Sequence, residues 1–229
     1  MITMRNFLVC ALFYLFCSCS ETFEPEADLV GFEYFPLEIG DFRTYQVNQI
    51  IFSLLEDPDT SDFQLKESVV DTFSTGDQLH FVLHRSTRMS PSDKWSLDSV
   101  WTSRRTENHA IVVENNIPLV KMVFPVRLNR VWDGNIFNSL PPDDYEITEI
   151  GAVYQTPAGS FSDVLTIFEN NDPDTLIYQD IRQVVYAKEI GLIYKRLSIL
   201  DFCNTDPECL GILESGTKFE QVLIEYGKE

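Results

Sequence analysis

The chain has 229 residues, of which 44% are hydrophobic and 13% aromatic, and its 36 acidic against 17 basic side chains give a formal charge of −19. A chain of this length and apolar content can bury a substantial core, which excludes disorder as its default state. The charge excludes nucleic acid as an expected partner, because an acidic surface repels phosphate backbones, while it favours solubility and basic partners.

The N-terminal segment has the layout of an export signal. One basic residue, Arg5, precedes an unbroken apolar run over residues 7–16, which is shorter than the roughly 20 residues that a membrane-spanning helix needs. Polar residues from Ser18 onward end the run. We therefore predict a signal peptide over residues 1–18.

The residues that follow the apolar run resemble the lipobox of bacterial lipoprotein precursors, in which a small residue precedes the cysteine that receives the lipid. The matching residues are Leu15-Phe16-Cys17-Ser18-Cys19. Ser18 meets the small-residue requirement, whereas Phe16 stands where Leu is commoner and Cys17 where Ala or Ser is commoner. The resemblance implies lipidation of Cys19 and attachment to a membrane through that lipid. The alternative is an ordinary secretory signal that leaves a free thiol.

Residues 19–33 are acidic and lack a hydrophobic period, which predicts a flexible tether between the lipid and a folded domain. Lipoproteins of this kind often sit in the outer membrane. In some bacterial groups acidic residues soon after the lipidated cysteine direct the protein to the outer face, and Glu21, Glu24 and Glu26 match that pattern. We expect a cell-envelope lipoprotein of the outer membrane, either periplasmic or surface-exposed.

From residue 34 onward the pattern is that of short strands separated by turns. The clearest strand covers residues 78–87, where Leu79, Phe81 and Leu83 alternate with polar residues. Further strands are predicted at residues 43–54, 63–73, 95–101, 110–115, 119–124, 145–155, 161–169, 192–202 and 218–226. Residues 180–189 fit a short helix as well as a strand.

Turn-forming residues separate these segments at 56–59, 74–77, 140–144, 157–159 and 170–174. Because most connections are short, neighbouring strands are expected to pair antiparallel. About ten strands in one sheet must curl, split or close. The expected fold is a single all-β, mainly antiparallel domain over residues 34–229. It would be a curved sheet, half-barrel, barrel or two-layer sandwich with at most one or two short helices.

Cys203 and Cys209 are the cysteines of the predicted mature domain, and an even pair in an exported protein predicts a disulfide. The turn-prone residues between them would place the bridge at the tip or neck of a hairpin. A metal or redox pair fits less well, because the gap of five residues is unusual for such sites and no histidine is near.

Candidate metal ligands are few. His80 and His84 share a face of one predicted strand but stand about 13 Å apart, too far to hold one ion, so we expect both on a solvated face. His109 is expected in a turn. Acidic loops at residues 57–62 and 170–174 lack the Gly and Glu that a calcium-binding EF-hand places at its sixth and twelfth positions. We predict no metal and no cofactor.

Catalytic signatures are also missing: the sequence has no nucleophile elbow, phosphate-binding glycine loop or zinc-protease motif, so we name no catalytic residue.

Residues 34–45, with Phe-Pro-Leu before a Gly and an aromatic strand, resemble the opening of uncharacterised β-rich envelope lipoproteins. Residues 186–194 resemble their penultimate hairpin. The resemblance implies a shared scaffold and no known activity.

Three functions stay open. The first is a lipid-anchored, non-catalytic binding or structural module with an envelope protein or glycan as partner. The second is a carrier of an apolar ligand in a lipocalin-like or lipid-chaperone-like β cavity. The third is an envelope hydrolase, which would need convergent carboxylates in a cleft. A densely packed interior would favour the first over the second.

Overall fold

The computed structural model describes residues 30–229 and arranges them in one antiparallel sheet of twelve strands. The strands are β1 (Asp41–Ser53), β2 (Glu56–Thr75), β3 (Gln78–Arg88), β4 (Ser96–Arg105), β5 (His109–Glu114), β6 (Ile117–Val123), β7 (Val131–Asp133), β8 (Asp144–Thr156), β9 (Gly159–Asp172), β10 (Tyr178–Ala187), β11 (Gly191–Phe202) and β12 (Leu213–Lys228). A short 3₁₀ helix, Phe32–Tyr34, precedes β1. Within residues 30–229, no helix has the length and apolar character needed to cross a membrane. The predicted signal peptide, Cys19 and residues 19–29 of the predicted tether lie outside the described residues.

The strands form an up-and-down meander whose two chain ends pair with each other. The order across the sheet runs from β6 through β5, β4, β3, β2 and β1 to β12, and then through β11, β10, β9 and β8 to β7. The two edges meet, since the Val120 N–H donates to the carbonyl of Gly134 at 2.9 Å and the Trp132 indole donates to the carbonyl of Val120 at 2.9 Å. The sheet is therefore a nearly closed barrel, which confirms the predicted all-β, antiparallel, barrel-like class.

The strand that the sequence left ambiguous is β10, which occupies most of residues 180–189. Val184, Val185 and Tyr186 are consecutive and all buried. A strand that is buried on both faces shows no alternation, and a continuous apolar run of this length also suits a buried helix. The ambiguity therefore has a physical cause in the burial of this strand.

The turn predicted at residues 56–59 is wrong, because β2 begins at Glu56 and the turn lies at residues 54–55. Acidic residues and Pro58 suggested a turn. However, β2 pairs with β3 only from Gln64 onward, so its first part pairs with β1 alone. Proline is tolerated on such an edge segment, where one side of the strand needs no hydrogen bonds.

Residues 30–37, which we call the N-terminal strap, are packed against the barrel. The Phe32 ring meets the Phe124 ring edge to face at 4.7 Å. Arg105 Nη1 donates to the carbonyls of Phe32 and Phe35 at 2.9 and 3.0 Å. Residues 30–33 were predicted to belong to the tether, but the structure makes them part of the folded domain, because their apolar side chains find partners on the barrel.

Three clusters of buried apolar side chains hold the described strands together. The largest joins the strap to strands from β2 to β10 and includes Tyr34, Phe124 and Ile167. The second joins β1, β2 and β9 to β12 and includes Tyr45. The third is small and joins β5 to β6. Tyr45 is fully buried, and its hydroxyl donates to the carbonyl of Leu192 at 3.0 Å, which satisfies the polar end of the ring.

Cys203 and Cys209 form a disulfide in the connection between β11 and β12, with their Cα atoms 5.5 Å apart. Backbone hydrogen bonds surround the bridge: the Cys203 N–H donates to the carbonyl of Ile212 at 2.8 Å, and the Gly211 N–H donates to the carbonyl of Cys203 at 3.1 Å. The bridge therefore closes the neck of the β11–β12 hairpin.

Candidate functional site

A cavity lies inside the barrel beneath the N-terminal strap. Its lining comes from the strap and from β1 to β6 and β9 to β12, so side chains from most of the circumference converge on it. The space open to the centres of water-sized spheres is about 80 Å³, and the cavity is partly open to solvent. That space would hold roughly five to eight water molecules or the equivalent part of a ligand.

Seven charged side chains line this cavity, and we call them the charged chamber. They are Arg43, Glu67, Arg85, Glu114, Lys121, Glu169 and Lys195. Four are cations and three are carboxylates, so the chamber has a net charge of about +1 inside a chain whose formal charge is −19. Buried charges need partners, and the chamber therefore divides according to which of them have one.

The first group of charged side chains lies in a row across three neighbouring strands. Arg43 of β1 is opposite Glu67 of β2, which is opposite Arg85 of β3. Arg85 Nε donates to Glu67 Oε1 at 3.0 Å, and its guanidinium lies 3.7 Å from the centre of the Trp101 ring. Arg85 is thus held by an ion pair and by a cation–π contact.

Arg43 is held by backbone instead of by a carboxylate. Its Nη1 donates to the carbonyl of Ile190 at 2.8 Å. Gly191 allows this position, because a Cβ there would lie 2.7 Å from Arg43 Nη1 and because its φ of +88° is one that L side chains rarely adopt. The guanidinium therefore packs directly against a glycine, and no carboxylate of residues 30–229 forms an ion pair with it.

The second group is a triad centred on Lys121 of β6. Its Nζ lies 3.0 Å from Glu114 Oε1 and 3.3 Å from Glu169 Oε1. Burial lowers the pKa of Lys121, but Glu169 and Glu114 raise it by more, so the pKa lies well above its usual value. Burial raises the pKa of Glu114, but Lys121 and then Lys195 lower it by more. Lys121 and Glu114 are therefore both charged at neutral pH.

Three hydrogen-bond donors of the lining are buried and have no acceptor among residues 30–229. They are Arg43 Nε, Trp101 Nε1 and Gln221 Nε2. Arg43 is 9% exposed and Gln221 is 2% exposed. Among residues 30–229, neither Arg43 nor Lys195 has a carboxylate oxygen within 4.0 Å. A buried N–H without an acceptor costs about 1–3 kcal/mol, so a ligand whose acceptors reach these donors would be favoured.

Apolar side chains form the remainder of the lining. They are Phe35, Pro36, Leu37, Leu83, Val112, Val184 and Leu192. The cavity thus offers hydrogen-bond donors and positive charge on some sides and carbon surface on others. A ligand that matches it has a small apolar body and at least one negatively charged or acceptor group.

The histidines that the sequence singled out do not line the cavity. His80 was expected on a solvated face and this is wrong: it is 9% exposed, and its ring stacks on Phe73 at 4.9 Å. Phe73 is the cross-strand partner of His80, so it covers the imidazole. His84 is half-buried on the same strand. His109 begins β5 instead of lying in a turn, and its ring meets Phe137 edge to face at 5.3 Å.

The acidic segments considered for calcium do not line the chamber either. Residues 57–62 lie within β2, and residues 170–172 end β9. In the part of the chain that the structure describes, no group of three or more His, Cys, Asp and Glu side chains is placed to hold a metal ion. The chamber residues were missed by the sequence analysis. The available signal was a charge inside an apolar strand, as at Lys121 between Val120 and Met122.

No protein-family model matches the chain, and no curated protein matches it. Two solved structures are similar. One is a candidate exported protein with a YmcC-like fold from Bacteroides fragilis, 13% identical, over 85% of this chain and 98% of that chain, with a TM-score of 0.46. The other is a candidate lipoprotein from Parabacteroides distasonis, 11% identical, over 85% of this chain and 98% of that chain, with a TM-score of 0.40. Likeness at this level says nothing of what the cavity binds.

Proposed function

We propose that this chain is a lipid-anchored, non-catalytic binding module of the cell envelope, and that the charged chamber is its ligand site. One observation supports the ligand site above all: three donors on residues that line an internal cavity are buried and have no acceptor in the described part of the chain. A barrel interior that served only as a core would be filled with close-packed side chains whose polar atoms bond to one another.

Binding fits the chamber better than catalysis does. A general acid needs a carboxyl whose pKa is raised toward neutrality, whereas the pKa of Glu114 is lowered. Glu67 and Glu169 each lie within ion-pair distance of a cation, Arg85 and Lys121. These carboxylates therefore act as structural partners of the cations in this proposal, and the envelope hydrolase is the less favoured reading.

A polar or charged ligand also fits better than a wholly apolar one. An apolar molecule would displace water from the cavity and offer no acceptor to Arg43, Trp101 or Gln221. The apolar part of the lining still favours a ligand with some carbon surface. The carrier hypothesis is therefore retained only for an amphipathic ligand.

Attachment to the membrane through Cys19 is the second part of the proposal. The proposed partner of the anchored module is an envelope protein or glycan. Its support is the lipobox-like sequence that ends at Cys19. The test is the intact mass of the protein extracted from membranes of its native host. A species that begins at Cys19 and has added acyl mass is expected. An unlipidated mass would refute the anchor and leave the chamber unaffected.

The ligand site is tested by NMR and thermal unfolding of the purified protein. The chain has three Trp residues, so the indole N–H resonance of Trp101 is identified by its loss in Trp101→Phe. Small acids, neutral polyols and amines are titrated at millimolar concentration. We expect one class to shift this resonance and to raise Tm, because a bound ligand stabilises the folded state. If no class changes either signal, the proposal that the chamber binds a ligand is refuted.

A further inference from the structure

We propose that the ligand of the charged chamber is a monocarboxylate with a short carbon body, and that Lys195 and Gln221 hold its carboxylate. This inference rests on the proposed function, because it names the ligand class of the same site. It also assigns a binding role to two residues that neither the motifs nor the turn chemistry of the sequence had indicated.

Lys195 and Gln221 are placed to act together. They are directly opposite each other on β11 and β12, so their Cβ atoms are about 4.5–5.5 Å apart on the same face of the sheet. Gln221 Nε2 is buried without an acceptor, and Lys195 has no carboxylate within ion-pair distance among residues 30–229. An ammonium and an amide N–H₂ side by side suit the two oxygens of one carboxylate, and the ammonium makes that hydrogen bond charge-assisted.

The charge of the chamber favours a single negative charge on the ligand. The four cations and three carboxylates leave a net charge of about +1, which a monoanion neutralises. A dianion such as sulfate would leave an uncompensated negative charge in a cavity whose walls are largely buried, and such charges are costly. A cationic ligand would add to the unpaired charges of Arg43 and Lys195.

The other features of the lining define the body of the ligand. Arg43 Nε and Trp101 Nε1 offer hydrogen bonds to a second oxygen atom. Leu83, Val112 and Val184 provide carbon surface. The open space of about 80 Å³ holds roughly five to eight water molecules, so it admits a ligand part of about five to eight non-hydrogen atoms. Either a short free acid or the acidic end of a larger sugar fits this description.

The experiment titrates the purified protein with matched probes that differ in the carboxylate. Butyrate is compared with 1-butanol, and glucuronate with glucose, while sulfate tests the preference for a monoanion. The readouts are the Trp101 indole resonance and Tm. We expect the acids to bind and their neutral counterparts not to. A response to butyrate identifies a short free acid, and a response to glucuronate alone identifies an acidic sugar.

Two variants show whether the proposed residues hold the carboxylate. Lys195→Met is expected to weaken acid binding by about tenfold or more, the usual effect of losing a hydrogen bond to a charged group. Lys195→Arg keeps the charge and is expected to retain most of the binding. Lys218→Met is the matched control, because Lys218 lies exposed on β12, and it is expected to bind as the original chain does.

The outcomes separate this inference from the proposed function. If glucose or 1-butanol binds as well as its acid, if sulfate binds as tightly as butyrate, or if folded Lys195→Met binds acids normally, the carboxylate assignment is overturned. The chamber still stands as a binding site in those cases, as it does if only a polyol or an amine binds. Absence of binding by every probe refutes both.

Discussion

Removing the positive charge at the centre of the Lys121 triad is expected to destabilise the protein strongly. In Lys121→Met the side chain keeps its length, but Glu114 and Glu169 lose their shared cation. The side chains of Lys121, Glu114 and Glu169 are 10%, 19% and 7% exposed. Removing one partner of a buried ion pair lowers the free energy of unfolding by about 3–5 kcal/mol. Because Glu114 keeps some contact with solvent, we expect a loss near the lower end, about 3 kcal/mol.

The dependence of stability on pH should also change. In the original chain the pKa of Glu114 is lowered below its usual 4.5, so its contribution is present above pH 4.5 and is lost as pH falls through the lower folded value. The pKa of Lys121 is raised above 10.5, so its contribution is lost only as pH rises through the folded value. In Lys121→Met burial raises the pKa of Glu114 with less opposition. The variant should therefore become more stable as pH falls from neutral toward 5.

The measurement is urea unfolding of the purified protein at several pH values, followed by circular dichroism. Lys228→Met is the matched control, because Lys228 pairs with Glu38 on the surface, where both side chains are more than half exposed. We expect little change in the control, since exposed ion pairs contribute little. If Lys121→Met is as stable as Lys228→Met, or gains no stability relative to Lys228→Met as pH falls from neutral toward 5, the account of the triad is refuted.

Three further changes test the fold. Replacing Cys203 and Cys209 with Ala opens a short closed loop and should lower the free energy of unfolding by roughly 2–2.5 kcal/mol, measured by urea unfolding against the oxidised original chain; no loss would contradict this. Arg105→Met removes the two hydrogen bonds to carbonyls of the N-terminal strap, so hydrogen exchange should accelerate in residues 30–37 and stay unchanged in β11 and β12. Gly134→Ala places a Cβ 2.5 Å from the Tyr145 ring, and the crowding should lower stability by about 1–3 kcal/mol in the same urea assay; an unchanged midpoint would contradict the packing.

Much of the strand pattern could be predicted from the sequence, because each half-buried strand alternates and each turn has its own chemistry. Every predicted strand overlaps an observed one. The exceptions have local causes. β7 is three residues long and too short to show a period, and β10 is buried on both faces. Pro58 lies on a part of β2 that pairs on one side only, so a residue that usually ends strands does not end this one.

The charged chamber could not be predicted in the same way, because its members are brought together by strand order and register. Glu67, Lys121 and Lys195 are far apart in sequence and lie on β2, β6 and β11, which are not neighbours in the sheet. Pairing of β1 with β12 and the meeting of β6 with β7 curl the sheet so that these side chains face one cavity. A charge within an apolar strand indicates only that some buried partner exists.

The arrangement of the chamber argues for a ligand more strongly than its polarity alone does. Buried ion pairs are common in proteins whose interiors bind nothing, and the Glu67–Arg85 pair and the Lys121 triad are of that kind. Arg43, Lys195 and Gln221 differ from them, since no carboxylate or carbonyl is placed for the Arg43 Nε, the Lys195 ammonium or the Gln221 amide N–H₂ among residues 30–229. Arg43 Nε and the Gln221 amide are buried and Lys195 is half-buried, so a ligand that brings acceptors into the cavity would pair with donors that residues 30–229 leave unpaired. A ligand that brings both charge and acceptors therefore gains hydrogen bonds with little rearrangement of the barrel, because the donors are already fixed by the strands that carry them.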